Sequence, residues 1–150
     1  MVDDVYRGSI HIEAEPDFIY SYFIKPEAVV RWMGDHAILD PRPGGRFTVV
    51  LGGRTVEGQY VELDPPHRLL ITWGRQGSPT FPPGSSTLEV TFTAERGGTR
   101  VSIVHTGLPA SERPRHALGW QYYLARLATI VAGGDVGAHA VPEELTRGAD

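Results

Sequence analysis

Apolar and polar residues alternate over residues 5–12, with Tyr6, Ile10 and Ile12 on one face and Arg7, Ser9 and His11 on the other. A period of two predicts an opening strand. The period then changes. Glu15-Pro16-Asp17 starts a short helix, because proline suits the first helical turn and an acid there complements the dipole. Phe18, Ile19, Tyr22 and Phe23 follow at helical spacing. Lys25-Pro26-Glu27 repeats the signal and predicts a second short helix ending at Trp32.

The period of two returns after the turn cluster Asp40-Pro41-Arg42-Pro43-Gly44-Gly45. Residues 46–51 set Phe47, Val49 and Leu51 against Arg46, Thr48 and Val50, and Gly52-Gly53 turns the chain into a strand over residues 55–63. Asp64-Pro65-Pro66 makes the next turn, leading to a strand over residues 68–73. A loop rich in glycine, proline and serine covers residues 74–85, and strands follow over residues 87–93 and 99–105. Short strands joined by hairpin-type turns predict an antiparallel sheet.

One long amphipathic segment closes the pattern. His116, Trp120, Tyr123, Leu124, Leu127, Ile130 and Val131 form a stripe about 120° wide on a helical wheel. Arg115, Gln121, Tyr122, Arg126 and Thr129 fall away from it. Ser111 is the expected cap, Pro114 comes early enough to be tolerated, and Gly133-Gly134 ends the helix. The fold expected is α+β: a curved antiparallel sheet of six or seven strands around a long C-terminal helix, with two short helices after the first strand. Residues 1–136 form that domain. Residues 137–150 read as a polar tail, with a turn of helix at residues 142–145.

Composition narrows the classes. A chain of 150 residues with 41% hydrophobic and 21% charged residues is an ordinary globular composition. It is long enough to bury roughly 70% of its unfolded surface as one domain. Without cysteine there is neither a disulfide framework nor a thiolate metal site. A net charge of −4 argues against a nucleic-acid partner. No apolar run reaches the length of a membrane span and no signal peptide is apparent, so the expected location is the cytoplasm.

Chemistry-bearing motifs are few. There is no His-x-His, no His-Glu-x-x-His and no Gly-x-Ser-x-Gly, so neither a metal, a cofactor nor a catalytic residue is assigned. What stands out is the pair His105-Thr106-Gly107-Leu108-Pro109 and His116-Ala117-Leu118-Gly119-Trp120. His105 shares an apolar strand face with Val101 and Ile103 and reads as a hydrogen-bonded brace at the corner before the helix. His116 lies in the first helical turn, where the dipole favours the neutral imidazole. Trp120 and Tyr123 combine large rings with a polar atom and suit a pocket wall. Trp32, Phe47, Trp73 and Phe92 would face them across a cavity, subject to strand register. Gly58, in mid-strand, marks a bulge or a close backbone approach. The loop over residues 74–85, with Phe81 among prolines, is either a lid or a plain surface loop.

The order of these landmarks resembles the helix-grip fold of the START-like (SRPBCC) superfamily. It is most similar to the family of homologues of the activator of heat-shock-protein-90 ATPase. Pro26-Glu27 through Trp32, the turn at residues 40–45, Gly58 with Glu62-Leu63-Asp64-Pro65-Pro66, Arg68-Leu69 through Thr72-Trp73, and the two histidine motifs carry the resemblance. It implies a cavity between sheet and helix more firmly than a reaction. The expected function is binding of a small hydrophobic or aromatic molecule by Trp32, Phe47, Trp73, Phe92, His105, His116, Trp120, Tyr123 and Leu127. Two alternatives stay open. One is a polyketide cyclase or aromatase-like enzyme using histidine or tyrosine as acid or base. The other is a co-chaperone-like interaction module, including a homodimer formed through a sheet edge. The chain reads as a bacterial-style single domain without the additional client-binding region of a true chaperone activator.

Overall fold

A computed structural model describes residues 4–137. The turn of helix expected at residues 142–145, and the polar tail apart from Gly137, lie outside the described residues. The chain runs β1 (Tyr6–Ile12), α1 (Pro16–Ser21), α2 (Pro26–Trp32), β2 (His36–Leu39), β3 (Arg46–Leu51), β4 (Arg54–Asp64), β5 (Arg68–Trp73), β6 (Ser86–Glu95), β7 (Gly98–Thr106) and α3 (Arg113–Val131). All seven strands join one antiparallel sheet in the order β1-β7-β6-β5-β4-β3-β2. Every connection but one is between sequence neighbours. The exception brings β1 beside β7 and sends the chain through α1 and α2 to the far edge at β2.

Alternation decides which face is buried. Leu69, Ile71 and Trp73 of β5, Ser86, Leu88, Val90 and Phe92 of β6, and Val101, Ile103 and His105 of β7 all point into the core. On α3 the buried apolar positions are Trp120, Tyr123, Leu124, Leu127 and Ile130, and the helix packs these against the concave face of the sheet. Burying each large apolar side chain contributes roughly 1.5–3 kcal/mol.

The sheet curves for a local reason. Gly58 faces the Thr72 carbonyl so closely that a Cβ would collide with it. Two residues on, the β4–β5 register slips between Tyr60 and Glu62. A close approach followed by a bulge bends the strand, and bulges increase the local twist.

Three local expectations change. Residues 36–39 form β2, a four-residue edge strand paired only with β3 through Ala37 opposite Val49; so short a run, with alanine in it, gives little periodic signal. Ser111 does not cap α3. The N-cap is Glu112, whose side chain makes no cap bond, and the Pro109 carbonyl accepts from Glu112 N–H (2.9 Å) and Arg113 N–H (3.1 Å) instead. Arg126, expected on the solvent side, is buried: its Nε donates to the Trp32 carbonyl (3.1 Å), tying the end of α2 to α3. A long aliphatic stem lets an arginine cover core surface while its head finds the exposed carbonyls of a helix C-terminus.

Candidate functional site

Where β5 ends and α3 begins, the sheet stands off the helix and leaves a half-open cleft of about 90 Å³. Its apolar wall is made by Met33, Leu51, Val56, Trp73, Trp120 and Tyr123. Trp73, the last residue of β5, lies 5.3 Å centroid to centroid from Trp120 on α3 and 5.6 Å from Phe47 behind it. Gly119 completes the helix side, and a Cβ there would meet open space. Trp73 Nε1–H is buried and meets no acceptor among the described residues.

Under this wall lies a closed hydrogen-bond chain. Ser86 Oγ donates to the Trp73 carbonyl (2.8 Å), which leaves its lone pairs for His105 Nε2 at 2.9 Å. Trp120 Nε1–H donates to His105 Nδ1 at 3.1 Å. An indole N–H can only donate, so Nδ1 is the accepting nitrogen and Nε2 carries the proton. Both imidazole nitrogens are therefore engaged in the neutral form. Burial, reinforced by the nearby His116, holds the His105 pKa well below its usual value, in agreement with that tautomer. His105 offers the cleft neither a free lone pair nor a free proton.

The rim is polar and cationic. Arg54, Arg75 and Arg115 line the cleft together with His116. Glu112, almost fully buried, holds two of them: Arg75 Nη2 donates to its Oε2 at 2.6 Å and Arg115 Nη1 at 2.7 Å. Burial pushes the Glu112 carboxyl up, but the hydrogen bond and charge of Arg75, with Arg115 and His116, outweigh it and leave the group below the usual range. His116 Nδ1 donates to the Glu112 carbonyl (3.0 Å), which leaves Nε2 as its second polar position. Burial lowers its pKa, partly offset by Glu112, and the two arginines lower it further.

The loop over residues 74–85 positions Arg75. Arg75 N–H donates to the Phe81 carbonyl (2.7 Å) and Val56 bridges to Arg75, extending the β4–β5 pairing past Trp73. Phe81 is buried, 5.2 Å from the His116 ring, with the Arg75 guanidinium 5.6 Å over its face. A buried phenylalanine thus pins the loop against the start of α3.

The profile of the family described as "Activator of Hsp90 ATPase homolog 1-like protein" matches residues 13–132. The chain belongs to that family. "Activator of 90 kDa heat shock protein ATPase homolog 1" from Homo sapiens is 30% identical over 109 residues, covering 72% of this chain and 31% of the human protein. The chain therefore spans about a third of the length of that relative. Among solved structures, the AHSA1-like protein of Rhizobium etli is 40% identical with a TM-score of 0.72, covering 89% of this chain and 84% of that one. Protein CV1439 of Chromobacterium violaceum is 26% identical with a TM-score of 0.75, covering 85% and 96%. CalU16 of Micromonospora echinospora, at 24% identity and a TM-score of 0.70, shares the fold. No helix among the described residues is long and apolar enough to cross a membrane.

Within this AHSA1-like domain the nine residues singled out in the sequence fall in three places. Trp73, His116, Trp120 and Tyr123 stand on the cleft wall. His105 lies beneath them, and Phe47 backs Trp73. Trp32, Phe92 and Leu127 are packed in the core away from the cleft: Trp32 donates to the Tyr22 carbonyl (2.9 Å), and Trp32 and Phe92 both contact Phe23. The cleft residues Met33, Leu51, Arg54, Val56, Arg75 and Gly119 are not among those nine, and Arg115 falls away from the apolar stripe of the helix. A glycine inside a helix, at a cost of about 1 kcal/mol against alanine, was the one signal available.

Proposed function

We propose that this AHSA1-like domain binds a small apolar or aromatic molecule in the cleft between β5 and α3. The observation that carries the reading is the indole pair Trp73 and Trp120 facing a half-open apolar space beside a helical glycine. Apolar clefts with a few convergent polar groups are the usual form of a ligand site. Size limits the occupant. An apolar cavity of about 150 Å³ admits benzene, so about 90 Å³ takes part of one ring, with the rest of the molecule at the open mouth. A fused multi-ring polyketide would require the grip to widen.

Acid–base catalysis of the cyclase type finds less support, because the Ser86–His105 pair is internally satisfied and neither residue lines the cleft. The names of the human and mouse relatives favour a second reading, activation of a chaperone ATPase. The large exposed apolar side chains Phe18, Ile38, Val61 and Leu118 belong to four different elements, α1, β2, β4 and α3.

The test is an NMR titration of labelled protein with a panel of neutral single-ring aromatics. Saturable shifts are expected at Trp73, Gly119, Trp120 and Tyr123, with Trp32 and Phe92 unmoved. Absence of saturable shifts across the panel rejects the cleft reading, and stimulation of a heat-shock-protein-90 ATPase by the same sample then favours the second.

A further inference from the structure

His116 gives the cleft a fixed hydrogen-bond acceptor. Its Nδ1 lies 3.0 Å from the Glu112 carbonyl, which can only accept, so Nδ1 carries the proton and Nε2 of the neutral ring keeps a bare lone pair. Burial, with Arg75 and Arg115, favours that neutral form over the opposing pull of Glu112. Nε2 bonds to no described residue, and the side chain, which lines the cleft, keeps 13% of its full exposure. The ring is held in place by edge contacts with Phe81 at 5.2 Å and His105 at 5.1 Å. Neither indole nitrogen competes for the same role. Trp120 Nε1–H is spent on His105 (3.1 Å), and Trp73 Nε1–H has essentially no exposed surface.

A positioned lone pair beside an apolar space matches a hydrogen-bond donor carried on an apolar ligand. The guanidinium groups of the rim can only donate. A hydroxyl suits both, because it donates to Nε2 while its own lone pairs face the rim, whereas an ammonium would meet like charge. We propose that the cleft takes a single-ring phenol whose O–H donates to His116 Nε2. This rests on the cleft being a ligand site, as argued above. The space of about 90 Å³ holds part of the ring against the apolar wall, with the remainder at the open mouth. His116 is then the residue that sets specificity. Hydrophobic burial scarcely separates a phenol from the same ring without its hydroxyl, and a fixed imidazole acceptor does.

The experiment is isothermal titration calorimetry with p-cresol and p-fluorotoluene, two rings of nearly equal size of which only the first carries a donor. The phenol is expected to bind about three- to tenfold tighter, the effect of one neutral hydrogen bond. His116→Phe keeps a ring beside Phe81 and His105 and removes the acceptor, so it should erase the preference, with a thermal melt verifying that the variant is folded. A second measurement needs no variant: in the unaltered protein the nitrogen resonance of His116 Nε2 should move saturably with p-cresol and stay still with p-fluorotoluene. Equal affinity for the two probes, a preference that survives His116→Phe, or an Nε2 resonance unmoved by bound p-cresol overturns the phenol assignment and leaves the cleft reading in place. Binding of neither probe overturns both.

Discussion

Gly119 separates packing from binding because its replacement should move stability and affinity in opposite directions. It sits inside α3 with ordinary helical backbone, on the cleft wall, and a Cβ there meets nothing within 4 Å. Gly119→Ala removes backbone freedom from the unfolded chain and adds no collision, a gain of about 1 kcal/mol. For a domain of this size that raises Tm by roughly 2–5 °C. The cleft that Gly119 lines has only about 90 Å³ to spare. A ligand seated against the helix would meet the added methyl group as overpacking, at about 1–3 kcal/mol, or roughly five- to a hundredfold in affinity. Urea unfolding and calorimetric titration of one preparation measure both. A more stable variant with unchanged affinity would show that the ligand does not occupy this wall. A destabilised variant would show that the helix lacks the free space on which the reasoning depends.

Other perturbations test the network beneath the wall. Trp120→Phe strips the donor from His105 Nδ1 and should cost about 1–3 kcal/mol in urea unfolding, the penalty of a buried acceptor left unmade; an unchanged midpoint would refute the assigned tautomer. Glu112→Gln removes the carboxylate that Arg75 and Arg115 share in the buried corner and should destabilise by about 3–5 kcal/mol, a loss that a denaturation midpoint reads directly. Stability should also fall on mild acidification. His105 and His116 both have folded pKa values below 6.5, so well above pH 6.5 neither folded nor unfolded chain binds these protons and stability is at its plateau. Below it the unfolded chain protonates first, and each histidine removes up to about 1.4 kcal/mol per pH unit until the folded imidazole titrates. His116→Gln should make that slope shallower below pH 6.5, and an unaltered slope would mean that His116 is not held neutral.

Much of the fold was legible because it rests on local periodicity. Leu88, Val90 and Phe92, or Leu124, Leu127 and Ile130, declare a buried face by spacing alone. β2 escaped because four residues at a sheet edge carry too few repeats. Arg126 escaped because periodicity scores its charge and not its stem, although the stem covers core and the head ties α2 to α3. The helix half of the cleft was partly readable for the same reason, since His116, Trp120 and Tyr123 share one helical face. The distinction between Trp73 on the wall and Trp32 in the core was not, because it depends on which strand end approaches the helix.

The cationic rim lay further from what a sequence discloses, and it is what gives the cleft its chemical character. Arg75 belongs to a loop whose composition announces only turns. It reaches the site because Val56 bridges to it beyond the end of β5, because Phe81 is buried beneath it, and because Glu112 waits at the start of α3. Those anchors come from three separate parts of the chain, and each is unremarkable alone. Their effect is to fix one guanidinium beside two indoles, where water is scarce and a charge-assisted hydrogen bond is worth more than at the surface. Hydrophobic burial can hold many small molecules in such a cleft with little discrimination. On the proposed reading of the cleft as a ligand site, a positioned arginine discriminates by charge, so the loop over residues 74–85 contributes to selectivity along with the aromatic wall.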